Sequence, residues 1–359
     1  MFKTFFEGST TEVLYNTKNP CTHQEVETLQ GLPLANHVWL QTSGTTTKKK
    51  WVALSRDAIF FSATAVNQHL QASKEDVWCL PLPSFHVGGL GVYARAYLTG
   101  SNVIPFTGKW DPVQFVQNVN QATLTSLVPT QVYDLVSKNL FCPKSLRACI
   151  VGGGNLSSSL YYKAKALGWP LLPSYGLTEC ASQVATAKSV NLPELCPLKH
   201  VDVKVDEEGN LWIQSASLLS AYFIEGELID PKHEGWFRTE DKATLLEGTL
   251  EVLGRGDDFV KILGESVSLP CLQNLLDGVR LALNLHFETV LFSMPDPRQG
   301  NRLHLATTAK EAAFIQPLLA TYDEMVLPFQ RISNVVFLKA IPKSPLNKVL
   351  KEKLRALCV

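Results

Sequence analysis

The chain has no CxxC pair. Its eight cysteines (Cys21, Cys79, Cys142, Cys149, Cys180, Cys196, Cys271 and Cys358) are scattered, which argues against both a zinc site and a disulfide framework. It also lacks a charge surplus. The formal net charge is zero, with 33 basic against 33 acidic residues in 359, and nucleic-acid binders ordinarily need a basic excess. No run of 18 apolar residues occurs, and the N-terminus has no long apolar leader segment, so neither a membrane span nor export is expected. No internal repeat or low-complexity tract is visible. These absences imply a soluble, cytoplasmic protein with reduced thiols, many of them small core residues.

What is present is 45% hydrophobic sequence with only 18% charge, enough to bury a large core. From Val38 to Ser174, short apolar runs alternate with helical patterns. Strands are expected at Val38–Leu40, Trp51–Leu54, Asp76–Leu80, Asn102–Phe106, Thr123–Val128, Ala148–Val151 and Leu171–Ser174. Helices fall between them, opened by caps such as Ser55 and Asp111-Pro112. That alternation predicts an α/β domain with a mostly parallel sheet covered on both faces. Ligands bind such sheets beyond the C-terminal ends of the strands, where Pro83–Leu90, Gly152–Gly154 and Tyr175–Glu179 are expected as loops. Residues 1–36 read as a weakly patterned lead-in that packs on the main domain, with one short helix near Gln24–Gln30. From about Val201 short strands predict a small barrel-like subdomain. Gly254–Asp258 reads as a hinge, and an α+β domain of about a hundred residues follows it.

One loop stands out. Gln41-Thr42-Ser43-Gly44-Thr45-Thr46-Thr47-Lys48-Lys49-Lys50 packs five hydroxyls and three lysines between two apolar runs. Hydroxyls, backbone N–H groups and lysines suit polyphosphate oxygens. The loop fails the GxxxxGK[ST] pattern, and read alone it is equally a solvated basic turn. Further motifs follow in order: Ser174-Tyr175-Gly176-Leu177-Thr178-Glu179, Gly235–Asp241 (GWFRTED), Gly254–Glu265 (GRGDDFVKILGE) and Pro342–Lys348 (PKSPLNK).

This ordered series resembles the core motifs of the adenylate-forming superfamily, which includes acyl-CoA synthetases, luciferases and peptide-synthetase adenylation domains. The stretches LPLPSFHVGGLGVYARAYLTG, SLVPTQVYDLV, LRACIVGGGNLS, YGLTECASQVATA and LWIQSASLLSAYF are most similar to its o-succinylbenzoate–CoA ligase branch of menaquinone synthesis. The resemblance runs through nearly all of residues 38–359. It implies an AMP-forming acid–thiol ligase using ATP, Mg²⁺ and coenzyme A on an aromatic dicarboxylic acid. It also implies a domain of residues 1–255 for ATP and acid, and a mobile domain of residues 256–359 that rotates about Asp257 between half-reactions. Two other readings stay open: a ligase for another carboxylic acid, and a non-catalytic nucleotide-binding relic.

Several roles follow from the resemblance. Thr42, Ser43, Gly44, Thr45, Thr46 and Lys50 hold the β- and γ-phosphates, and Thr178 bonds a phosphate oxygen. Glu179 holds Mg²⁺, which prefers carboxylate and phosphate oxygens. Tyr175 stacks on the adenine with the Gly152, Gly153 and Gly154 backbone on the other side, and Ser174 and Gly176 belong to the same cofactor-binding set. Asp241 takes the ribose hydroxyls, Arg255 faces the nucleotide, and Lys261 belongs to the same nucleotide set. Lys348 stabilises charge at the α-phosphate. His86 and Arg95 line the acid pocket. Arg95 sits in an apolar helix, where a cation needs either an internal salt bridge or a substrate carboxylate.

Four positions depart from the pattern. Thr47 and Lys49 replace the glycine and proline of SGTTGxPK, Glu240 replaces the glycine of GWFRTGD, and Asn347 stands where glycine is usual. The phosphate loop begins at Gln41, whereas family members carry a substantial subdomain ahead of it. The expectation is that this subdomain is dispensable, or that a partner or homodimer contact covers the sheet face it would occupy.

Overall fold

A computed structural model of the chain describes residues 2–16, 21–41, 50–343 and 349–357. Two compact units emerge. One comprises Met1–Leu156, Ala164–Thr239 and Thr244–Glu251, and the other Ser157–Lys163, Glu240–Ala243 and Val252–Val359.

In chain order the first elements are α1 (Phe2–Glu7), β1 (Glu12–Leu14), α2 (His23–Gln30), β2 (His37–Gln41), β3 (Lys50–Ser55), α3 (Arg56–Leu70), β4 (Val77–Leu80) and α4 (Val87–Thr99). Next come β5 (Asn102–Pro105), α5 (Pro112–Val119), β6 (Leu124–Leu127), α6 (Pro129–Ser137), β7 (Ala148–Val151), α7 (Ser158–Ala166) and β8 (Leu171–Leu177). Strands then dominate: β9 (Ser182–Ser189), β10 (Leu192–Pro197), β11 (Val201–Val205), β12 (Asn210–Ser215), β13 (Ala221–Ile224), β14 (Glu227–Ile229), β15 (Lys232–His233), β16 (Trp236–Leu246) and β17 (Thr249–Arg255).

The larger unit is built on a seven-stranded sheet of order β10-β9-β8-β7-β6-β4-β5. The run from β5 to β8 is parallel. Its strands β6 and β7 are buried along their whole length, as a parallel sheet covered on both faces requires. Trp78, Leu80, Leu124, Ile150 and Leu172 form one core cluster with Val66 and Val92 from the flanking helices. The helix starts obey their caps: the Ala58 amide donates to Ser55 Oγ at 3.0 Å, and the Gln114 amide to Asp111 Oδ1 at 2.8 Å. A second sheet has the order β1-β2-β3-β13-β14. A third runs β11-β12-β16-β15 with β17 on β16 and corresponds to the small subdomain expected from about Val201.

Two expectations need correction. Residues 175–177 are not loop. β8 leaves its parallel partner β7 at Pro173 and runs on through Leu177 against antiparallel β9. Gly176 reads as a turn residue in the sequence, but here it sits at an irregularity between two paired strands. The lead-in is also more structured than its pattern suggests. β1 pairs parallel to β2, and buried Phe6 packs its ring on Phe60 and Tyr97.

The smaller unit contains the hairpin β18 (Phe259–Ile262) and β19 (Glu265–Ser268), then α8 (Leu269–Ala282), β20 (Thr289–Asp296), β21 (Gly300–Thr307), α9 (Ala312–Met325), β22 (Ile332–Phe337) and α10 (Lys351–Ala356). β20 and β21 are antiparallel, and β22 lies parallel to β21. Leu276, Val279, Leu305, Ile315, Leu318 and Tyr322 form its core. The expected hinge is the end of β17 followed by a 3₁₀ turn at Gly256–Asp258. No helix among the described residues is long and apolar enough to cross a membrane.

An ion pair between buried Asp76 and the exposed Arg147 secures the N-terminal edge of the parallel sheet. Asp76 accepts from Arg147 at 2.8 Å through both oxygens and from the Thr123 hydroxyl at 2.6 Å. Burial alone raises the Asp76 carboxyl, but hydrogen bonds from Arg147, Thr123 and the Ser73 amide outweigh it and hold the group at about 2. A carboxyl lowered on folding stabilises the fold above its unfolded pKa of about 4. That contribution is lost as pH falls through the folded value. Asp76→Asn is therefore expected to cost about 1–2 kcal/mol at pH 7, the full shift being reduced by solvent around the exposed Arg147, measured by urea unfolding, with the difference fading as pH falls below about 2.

Candidate functional site

Strands β2 and β3 form an antiparallel pair with Gln41 opposite Trp51, so the hydroxyl-rich stretch lies between two strands, as expected. Thr42, Ser43, Gly44, Thr45 and Thr46 fall outside the described residues, and so does Lys348. Lys50, the first residue of β3, is described. Its Nζ lies 3.7 Å from Glu179 Oε1 and 3.7 Å from the centre of the Tyr222 ring. The Tyr222 hydroxyl donates to the same Glu179 oxygen at 2.9 Å.

Glu179 is positioned by the turn between β8 and β9. Thr178–Cys180 form a single 3₁₀ turn, and Ala181 and Ser182 both take positive φ, 51° and 119°. Neither is glycine, so the chain reversal carries backbone strain. The Leu219 amide donates to the Glu179 carbonyl at 2.7 Å. The return strand passes so close to β8 that a Cβ on Gly176 would stand 1.9 Å from the Ser182 carbonyl oxygen. Only glycine fits there.

Beside this turn, Ser174 donates to the Ala185 carbonyl at 3.1 Å. The neighbouring strand β7 is followed by Gly152, whose amide donates to Leu127 O at 3.2 Å. A Cβ on Gly152 would lie 3.3 Å from the Ser174 carbonyl oxygen. Gly153 takes φ +78°, and Gly153 and Gly154 are exposed. Gly152–Gly154 and Ser174–Glu179 thus share the C-terminal edge of β7 and β8, where open α/β sheets bind ligands.

The loop after β4 delivers His86, which begins α4 as its N-cap and packs its ring 4.5 Å from that of Phe85. Two turns later Arg95 is 2% exposed. Its Nη2 donates to Ser182 Oγ at 3.3 Å, its guanidinium carbon lies 5.7 Å from the centre of the Trp78 ring, and its Nε has no hydrogen-bond partner. Burial lowers its pKa to about 10, which leaves it charged at neutral pH. The internal salt bridge that would have made Arg95 purely structural is absent among the described residues.

The remaining expected residues belong to the smaller unit. Asp241 lies on β16 and Arg255 ends β17. The Arg255 guanidinium pairs with Glu240, the acidic residue that departs from the family motif, and its amide donates to Asp258 Oδ2 at 3.2 Å. Lys261, exposed on β18, uses its carbonyl to accept from Asn301 at 3.0 Å. On either side of the segment that holds Lys348, Lys343 bridges to Val349, and Lys343 Nζ contacts Glu288 Oε1 at 2.7 Å.

Among the described residues no three His, Cys, Asp or Glu side chains gather as a metal cage. Glu179 nevertheless offers a carboxylate. One carboxylate supplemented by substrate phosphates is a donor set that fits Mg²⁺. Cys180, next to Glu179, is fully buried, and burial drives its thiol well above the ordinary value, so it supplies no nucleophile.

The sequence reading missed Tyr222, Ser182 and the Glu240 partner of Arg255. Tyr222 sits in an apolar strand and reads as core. No signal in the linear sequence marks it, because its place follows from the register of β13, which sets it opposite Val52 and diagonal to Lys50.

The chain is similar to known proteins in sequence and in fold. The family described as AMP-binding enzyme matches residues 15–223. The 2-succinylbenzoate–CoA ligase of Bacillus velezensis is 25% identical over 336 residues, covering 89% of this chain and 68% of the relative. The solved o-succinylbenzoate CoA synthetase of Bacillus subtilis, in complex with the acyl-adenylate intermediate, superposes with a TM-score of 0.79 at 23% identity, over 99% of this chain and 80% of that one. The same enzyme in complex with ATP and magnesium ion gives 0.77 at 22% identity, over 99% and 81%.

The approach at Gly176 gives a direct test. Gly176→Ala is expected to force β8 and β9 apart and cost about 2–4 kcal/mol by denaturant unfolding. Gly154→Ala, whose added Cβ would meet only ordinary contacts at 3.6 Å, is expected to cost under about 1 kcal/mol.

Proposed function

The chain belongs to the AMP-binding enzyme family, and within it we propose an AMP-forming acid–CoA ligase that joins o-succinylbenzoate to coenzyme A in menaquinone synthesis. The reaction runs in two steps. An ionised carboxylate oxygen attacks the α-phosphorus of ATP, the bond to pyrophosphate breaks, and an acyl-adenylate forms. The coenzyme A thiol then attacks the acyl carbon, loses its proton, and AMP leaves. Neither step needs a base for the acid, because carboxylates are already ionised at neutral pH.

The protein's part is positioning and charge. Thr42–Thr46 and Lys50 grip the β- and γ-phosphates, and Thr178 bonds a phosphate oxygen. Mg²⁺, held through Glu179, neutralises phosphate charge. Ser174, Tyr175, Gly176 and Gly152–Gly154 line the adenine. Asp241 takes the ribose hydroxyls, with Arg255 and Lys261 on the nucleotide. Residues 256–359 supply Lys348, which stabilises the α-phosphate in the first step.

The observation that carries the choice of acid is Arg95. A buried guanidinium costs several kcal/mol unless paired, yet its side-chain hydrogen bond goes to a neutral hydroxyl. A substrate with a second carboxylate completes that pairing, and o-succinylbenzoate has two. His86, at the start of the same helix, lines the pocket. The similarity to 2-succinylbenzoate–CoA ligases supports the same choice.

ATP–pyrophosphate exchange with a panel of acids tests the reading. Exchange dependent on o-succinylbenzoate is expected. Exchange only with another acid moves the substrate, and no exchange with any acid refutes catalysis. Arg95→Met is expected to lower kcat/KM for o-succinylbenzoate at least about a hundredfold, the weight of a charge-assisted pair. Lys348→Ala is expected to slow adenylation while leaving thioester formation from pre-made acyl-adenylate nearly unchanged. Normal adenylation by that variant would remove Lys348 from its role.

A further inference from the structure

We propose that Tyr222 is a positioning residue that orients the Glu179 carboxylate for Mg²⁺-bound ATP, an inference that rests on the nucleotide role given to Glu179 above. The argument starts from register. On β13 Tyr222 stands opposite Val52 and Ile224 opposite Lys50, so Tyr222 and Lys50 are diagonal neighbours on one face of the sheet. Diagonal neighbours are within reach of an aromatic ring and a long side chain. The Lys50 ammonium accordingly sits 3.7 Å above the ring centre. The ring is 7% exposed, and Phe237 lies edge-on to it at 6.4 Å.

From that fixed base the phenol hydroxyl reaches Glu179 Oε1 at 2.9 Å, and the Leu219 amide fastens the Glu179 backbone at 2.7 Å. Glu179 is thus tied at two points, once through its main chain and once through its carboxylate. Both the Tyr222 bond and the Lys50 ion pair fall on Oε1, and no hydrogen bond to Oε2 is made among the described residues. Oε2 is the oxygen that can turn toward a cation. A hydrogen-bond donor behind a ligating carboxylate fixes its rotamer before the cation arrives. The same ring holds Lys50 beside the carboxylate, so one side chain organises both the acidic and the basic partner of the triphosphate.

Tyr222→Phe tests this by removing the hydroxyl while keeping the ring, its packing on Phe237 and its contact with Lys50. Calorimetric titration of ATP across a Mg²⁺ series, without acid or coenzyme A, is the readout. The Mg²⁺ concentration that half-saturates ATP binding is expected to rise about tenfold or more, the usual loss when a ligand's hydrogen-bond partner is removed. AMP affinity measured without Mg²⁺ is expected to stay unchanged, and excess Mg²⁺ should restore ATP affinity. An unshifted Mg²⁺ requirement overturns the proposal, as does an equal loss of AMP and Mg²⁺–ATP affinity, which would mark a general structural role. If the unsubstituted chain binds ATP with no dependence on Mg²⁺, both this proposal and the nucleotide role of Glu179 fail. If the acid alone has been misassigned, the Mg²⁺ shift still appears.

Discussion

The site depends on how one carboxylate is held at a strained turn. Glu179 sits where β8 turns into β9, and its Oε1 accepts from Tyr222 and faces Lys50. This single oxygen draws together residues far apart in the chain: the first residue of β3, the turn after β8 and the middle of β13. The sheets make it possible. β13 pairs with β3, which brings Lys50 and Tyr222 together, while the Leu219 amide holds the Glu179 turn. Polar groups in so confined a place are stabilising only when each has a partner. Among the described residues Oε1 is therefore held while Oε2 is left for a ligand, and the chemistry of the arrangement is that of gripping anionic oxygens and a cation together.

A second buried charge shapes the acid side. Arg95 emerges from an apolar helix, touches Ser182 just past the Glu179 turn, and lies against Trp78. Ser182 thus belongs to the strained reversal that sets Glu179 and also gives Arg95 its side-chain partner. Under the proposed reaction the phosphate-binding and acid-binding groups meet at one short hairpin. The residues around it are accordingly constrained: Gly176 by the backbone of Ser182, and Ala181 and Ser182 by their positive φ.

Much of this was legible in the amino-acid sequence, for identifiable reasons. The alternation of strands and capped helices between Val38 and Ser174 is a local signal, because β7 is apolar throughout and Ser55 and Asp111 are good caps. The motif residues Ser174–Glu179 were legible by their order. Less legible was whatever depends on pairing between distant segments. Gly176 looks like a turn residue, yet β8 runs through it, because the approach of Ser182 is invisible in a linear sequence. Strands β9 and β10 were unassigned for the same reason. Tyr222 reads as core since its role lies in the register of β13 on β3. The fate of Arg95 was undecided between a salt bridge and a substrate, and only the three-dimensional packing shows that no carboxylate among the described residues pairs with it.

The central claim is that this assembly activates an acid with ATP and passes it to coenzyme A. The most direct measurement incubates the purified chain with o-succinylbenzoate, Mg²⁺–ATP and coenzyme A and follows products by mass spectrometry. The account predicts o-succinylbenzoyl-CoA and AMP appearing in equal amounts, with neither formed when the acid is omitted. AMP release without any thioester, or ADP in place of AMP, would contradict it.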